Sequence, residues 1–321
     1  MRKPVVAMIV LMAVLCAAAC GADKEAATAE TKAPADGSPK VEKVERHGCT
    51  VEMFALHSKL MDLDIKVAIV LPPEYAKNPE KKYPVLFTLH GHAAPYDTFS
   101  QMGPLLKSLK EKPMIVTCFD ANDSKSGYAD SPNDPKSQFT SFFFKEFVPY
   151  VEKNYRVNGQ CGVTGFSMGG SGAFHYMCVQ PKKFISVSAM STGYGRRGSA
   201  PPAGGDNADS KRPRRPQTES VYDFIEKAIK EKAKFPRLLL ACGTEDERPL
   251  AGTRQFRDFL KEKKVPFEYY ESPGAHKWDY WQATSDTIVD FHWRTFQPGY
   301  KVIEHPNPAA AKTDEKTDGK Q

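Results

Sequence analysis

Short apolar runs recur along this chain, each too brief for a helix, with longer amphipathic stretches between them. The runs "YPVLFTLH" (83–90), "PMIVTCFD" (113–120), "QCGVTGF" (160–166), "FISVSAM" (184–190), "FPRLLLAC" (235–242) and "VPFEYYE" (265–271) are continuous rather than alternating. Continuous apolarity over so few residues predicts strands buried on both faces, as in a parallel sheet. Two earlier segments, "CTVEMFAL" and "DLDIKVAIVLPP", alternate more and predict a pair of adjacent strands.

Helical spacing fills the gaps. "FTSFFFKEFVPYVEKNY" sets Phe139, Phe142, Phe143, Phe147 and Val151 along one side, with a bend expected at Pro149. "SVYDFIEKAIKEKAK" sets Val221, Phe224, Ile225 and Ile229 on one face, and "TRQFRDFLKEKK" groups Phe256, Phe259 and Leu260. Strands alternating with helices predict an α/β fold: a mostly parallel central sheet with helices on both faces. In such sheets chemistry gathers at the carboxyl ends of the strands.

The two ends of the chain break the pattern. Arg2 and Lys3 precede the apolar "VVAMIVLMAVLCAAA", which reads as an export signal over residues 1–19. Cys20, following Ala17–Ala19 and followed by Gly21, resembles a lipobox cysteine, the lipidated first residue of an envelope lipoprotein. Residues 20–43 hold almost no bulky apolar side chain and are expected to form a flexible linker, and residues 305–321 a polar tail. The folded unit is expected over residues 44–304, interrupted by a Gly- and Pro-rich insertion at 192–217 with six basic residues. The expected location is therefore the cell envelope or exterior, with the membrane reached only through an N-terminal lipid anchor.

The net charge of +6, part of it from Arg2 and Lys3, lacks the concentrated basic face of a nucleic-acid binder. The cysteines outside the leader lie in or beside apolar segments and read as buried thiols. No CxxC pair or HExxH points to a metal, and no cofactor motif is present.

The chemistry begins at "VTGFSMGGSGAFHYM" (163–177). Gly165-Phe166-Ser167-Met168-Gly169 follows a strand-like run and opens a small-residue helix, the context of a nucleophile elbow. A serine hydroxyl needs a base within hydrogen-bond reach. Four histidines follow Ser167: His175 sits in the helix after the elbow, His292 in "IVDFHWRTF", His305 in the tail, and His276 on the loop "SPGAHKWDYW" after the last strand. Position makes His276 the candidate base. The orienting acid is expected after "RLLLAC", where "GTEDER" offers Glu245, Asp246 and Glu247, and spacing leaves these three open. The oxyanion donors would be the Met168 N–H and a backbone N–H of Gly91 or His92 in "HGHAAP".

Taken together, "YPVLFTLHGHAAP", "GYADSP", "FVPYVEKNYRV", "GVTGFSMGGSGAF", "ACGTED" and "SPGAHKWDYW" resemble the putative-esterase family of α/β-hydrolases. That family includes esterase D, feruloyl, acetylxylan and tributyrin-type esterases, and the antigen 85 mycolyltransferases. The resemblance implies the α/β-hydrolase fold, Ser167 as nucleophile, Asp246 as acid, His276 as base, and an oxyanion hole at Met168 with Gly91 and His92. It implies a cofactor-free carboxylesterase working through an acyl-enzyme on a small-molecule or carbohydrate ester. The spacing of His276 and Trp278 is closest to the feruloyl and carbohydrate-esterase branch and makes Trp278 a candidate substrate contact. Two other functions compatible with the sequence are acyl transfer from the same site and a non-catalytic glycan- or partner-binding lipoprotein.

Overall fold

The computed structural model describes residues 39–122, 127–195 and 220–305. The export signal, Cys20, most of the linker, the basic part of the insertion from 196 onward and the tail beyond 305 lie outside the described residues.

Nine strands form one sheet: β1 (Glu42–Arg46), β2 (Cys49–Ser58), β3 (Leu63–Leu71), β4 (Tyr83–Leu89), β5 (Ile115–Phe119), β6 (Val157–Gly165), β7 (Ser186–Met190), β8 (Arg237–Gly243) and β9 (Phe267–Ser272). Their order is β1-β2-β3-β5-β4-β6-β7-β8-β9. The first three strands and the β3–β5 pairing are antiparallel, and every pairing from β5 to β9 is parallel. Each of the six continuous apolar runs overlaps one of these parallel strands, since a strand covered on both faces has no polar side to show; β9, at the sheet edge, is only partly buried. β4, β5 and β7 are buried at every position. β1 had no apolar signal: its residues "EKVER" lie on the exposed sheet edge, and the strand straddles the expected boundary, with Glu42 and Lys43 in the stretch expected to be linker and Val44–Arg46 in the folded unit.

The helices are α1 (Gly103–Ser108), α2 (Phe139–Phe142), α3 (Val148–Asn154), α4 (Met168–Val179), α5 (Val221–Lys230), α6 (Glu247–Glu262) and α7 (Trp278–Phe296). The expected bend at Pro149 is a wider turn just before it, since Phe143–Phe147 forms a π-helix between α2 and α3. Proline has no N–H to donate, and its ring crowds the carbonyl four residues back, so widening that turn relieves both problems. Phe139, Phe142, Phe143, Phe147 and Val151 are all buried. In α5 the expected face needs one correction. Val221, Phe224 and Ile225 are buried, but Ile229 is 39% exposed and Tyr222 and Ala228 take up the interior. Ile229 lies in the last turn of the helix.

After β4 the chain steps to β5 on one side, then crosses back to β6 on the other side of β4. The crevice at the carboxyl ends of β4 and β6 is the switch point at which open α/β sheets bind ligands. Among the described residues no helix is long and apolar enough to cross a membrane. Cys49, Cys118, Cys161 and Cys242 are buried thiols and Cys178 is partly buried, with no disulfide among the described residues.

Candidate active site

Ser167 sits between β6 and α4 with φ 54° and ψ −118°, a backbone conformation costly for any residue with a side chain. The surroundings impose it. The Ser167 N–H donates to the Met190 carbonyl at 2.9 Å, and the Thr192 hydroxyl donates to the Ser167 carbonyl at 2.8 Å. A Cβ on Gly169 would lie 1.9 Å from the Leu89 carbonyl oxygen, so only glycine lets α4 start this close to the end of β4.

The loops after β8 and β9 meet because those strands are in parallel register, Gly243 opposite Ser272. They are joined by backbone bonds from Thr244 N–H to Ser272 and from Glu245 N–H to Gly274, each 2.9 Å. This contact carries His276 to Asp246, with Nδ1 and Oδ2 2.8 Å apart. Its Nε2 lies 2.9 Å from Ser167 Oγ. Accordingly Nδ1–H donates to the carboxylate and Nε2 accepts from the serine hydroxyl. Of the three acids left open by spacing, Asp246 is buried and bonded to His276, while Glu245 and Glu247 face solvent.

Met168 is the first residue of α4, where N–H groups have no partner inside the helix and the helix dipole favours negative charge. Gly91 packs its α-carbon against the Phe166 ring, and a Cβ there would lie 2.6 Å from that ring and 3.4 Å from Ser167 Cβ. The "HGHAAP" loop is thus beside the serine, with His92 exposed on it. His90 serves the loop from beneath. Its Nδ1–H donates to the Gly91 carbonyl at 2.7 Å, and its Nε2 accepts from the Ala121 N–H at 2.9 Å. Burial lowers its pKa, and with both ring nitrogens engaged it has none to offer a metal.

The other histidines go elsewhere. His175 bonds Thr140 at 2.8 Å, and His305 bonds the buried Glu268 at 2.7 Å. His292 lies between the hydroxyls of Ser186 (2.7 Å) and Ser188 (2.8 Å), with its pKa pushed down to about 3 by burial.

A cavity of about 340 Å³ opens beside the elbow. His92, Ala93, Ala94 and Pro95 form one wall, Trp278 and Trp281 another, and Phe166 also lines it. Trp281 carries no motif of its own in the sequence. Its signal was its place one helical turn after Trp278, which puts both indoles on one face of α7.

A mostly parallel sheet, a strand–turn–helix elbow at its switch point and later loops that bring Asp246 and His276 to it match the α/β-hydrolase fold. The chain belongs to the family described as "Putative esterase", whose model matches residues 58–291. It is 28% identical over 260 residues to an esterase of Mycobacterium tuberculosis H37Rv, covering 70% of this chain and 55% of that protein. The chain thus spans about half the length of that curated relative. An acetyl esterase of Caldicellulosiruptor saccharolyticus is 23% identical, with 70% of this chain and 91% of that protein covered. Among solved structures, a ferulic acid esterase superposes with a TM-score of 0.66 at 26% identity, covering 78% of this chain and 99% of that one. An S-formylglutathione hydrolase from Agrobacterium tumefaciens shares the fold, with a TM-score of 0.63 at 20% identity over 79% of this chain and 98% of its own.

Proposed function

We propose that this protein is a serine carboxylesterase working through an acyl-enzyme. The observation that carries the proposal is the double engagement of His276, 2.9 Å from Ser167 Oγ on one side and 2.8 Å from Asp246 on the other. As Ser167 Oγ attacks the ester carbonyl carbon, its proton passes to His276 Nε2. The imidazolium so formed is stabilised by Asp246, and the tetrahedral oxyanion accepts hydrogen bonds from the Met168 N–H and from Gly91 or His92. His276 then protonates the departing alkoxide. In the second half water attacks the acyl group, giving its proton to His276, and His276 returns that proton to Ser167 Oγ as the acyl–oxygen bond breaks and the acid leaves.

The substrate class proposed is an ester with a flat or ring-shaped group, feruloyl or carbohydrate. Support comes from the cavity beside the elbow, whose Trp278, Trp281 and Phe166 suit stacking on a planar face. Hydrolysis is favoured over acyl transfer because the His276 side chain is 42% exposed, so water reaches the base. The leader pattern and Cys20 support an exported, lipid-anchored form, tested by membrane partition of a Cys20→Ala variant.

An ester panel from acetyl and butyryl p-nitrophenyl esters to methyl ferulate and acetylated xylan tests the reading. Turnover that Ser167→Ala removes is the expected result. No turnover of any member, or full activity in the variant, overturns it.

A further inference from the structure

We infer that Trp281 is a positioning residue that holds the His276 imidazole against the nucleophile elbow. The inference rests on the proposed Ser167–His276–Asp246 chemistry and adds a group to it.

His276 sits on a loop after β9, and its ring is bonded only at its two nitrogens, both in the ring plane. Two in-plane bonds leave the ring able to rock about the axis that joins them, and with much of the side chain in solvent there is little packing to stop it. Trp281 supplies that packing. The indole meets the imidazole edge-on, at 88° with ring centroids 5.0 Å apart. The same indole stacks on Phe166, centroids 4.4 Å apart and planes within 23°. Phe166 is the residue before Ser167, and it is fixed by Phe99 on one side and the Gly91 backbone on another. Trp281 itself is one turn into α7, where its backbone N–H donates to the Lys277 carbonyl. A continuous run of rings therefore links base and nucleophile through atoms that do not move with the loop. Edge-to-face aromatic contacts at this range carry energy beyond their buried area. Small misplacements of a catalytic base are costly in rate.

The ring contact, and not the indole N–H, is the feature that matters. Trp281→Phe keeps an aromatic ring on Phe166 and loses the N–H, whereas Trp281→Leu keeps bulk and loses the ring. Thermal melting first establishes that both variants fold. On p-nitrophenyl acetate, whose acyl group is too small to need the cavity wall, the expected result is a fall in kcat of about 10- to 100-fold for Trp281→Leu. KM is expected to stay nearly constant, and Trp281→Phe to recover most of the rate. A second readout needs no turnover: the low-field proton NMR signal of His276 Nδ1–H bonded to Asp246, assigned by its loss in His276→Gln. That signal is expected in wild type and Trp281→Phe and broadened or absent in Trp281→Leu. If Trp281→Leu keeps both the signal and kcat, or if Trp281→Phe loses as much as Trp281→Leu, the inference is wrong. If no ester is hydrolysed by wild type, the serine-esterase reading falls, and the NMR comparison still decides the role of Trp281.

Discussion

His276 Nε2 lies 2.9 Å from Ser167 Oγ, although 109 positions separate the two residues in the chain. Parallel register produces the meeting. β6 delivers the serine at its carboxyl end, and β9, three strands along the sheet, returns the histidine at the same end. Asp246 completes the line from the loop between them.

In the proposed mechanism Asp246 sets the tautomer of His276. In Asp246→Asn the amide would favour the wrong tautomer at His276 Nδ1, and kcat is expected to fall about 10⁴-fold with KM little changed. Glu245→Gln and Glu247→Gln, both at exposed positions, are expected to leave kcat within about twofold. Steady-state kinetics on p-nitrophenyl acetate compare the three.

Gly169 is held to glycine by the Leu89 carbonyl, 1.9 Å from where a Cβ would stand. Gly169→Ala is expected to cost about 3 kcal/mol or more, because backbone must move to admit the methyl group. Gly159 gives the contrast. It has φ +85° but nothing within 4 Å of its Cβ position, so Gly159→Ala should cost only about 1–2 kcal/mol of backbone strain. Urea unfolding of the two variants reads the difference.

His292 makes stability depend on pH. Burial pushes its pKa from an ordinary 6.5 down to about 3, so it is neutral when folded and titrates normally when unfolded. Between those two values the unfolded chain binds more protons, and folding stability falls as pH drops through that window. Unfolding free energy is therefore expected to be lower at pH 5 than at pH 7. In His292→Leu that part of the slope disappears. The variant is also less stable at pH 7 by about 1–3 kcal/mol, because the buried Ser186 hydroxyl loses its partner.

The strands were legible because burial on both faces leaves continuous apolar runs, and the elbow because its glycines are forced by close backbone approach. β1 was not, since an exposed edge strand demands little apolarity. The choice of Asp246 over its two acidic neighbours was invisible to spacing. It depends on how the loops after β8 and β9 hydrogen-bond to each other, a tertiary fact. Trp281 was hidden for a related reason: its partners Phe166 and His276 are distant in sequence, and a tryptophan at helical spacing reads equally well as core.

Trp278 lines the cavity without contributing to the Ser167–His276–Asp246 line. Trp278→Ala is expected to raise KM for methyl ferulate about 10-fold while leaving p-nitrophenyl acetate hydrolysis within about twofold. Parallel kinetics on the two esters separate a substrate contact from a general loss of structure.

The central claim is that Ser167 becomes acylated. Brief incubation with p-nitrophenyl acetate, acid quenching and peptide mass spectrometry read it directly. The account predicts an acetyl group on the peptide containing Ser167, accumulating in His276→Ala if deacylation is slowed more than acylation, and no modified peptide in Ser167→Ala. Turnover by wild type with the acyl group on another residue, or turnover that persists in Ser167→Ala, would contradict it.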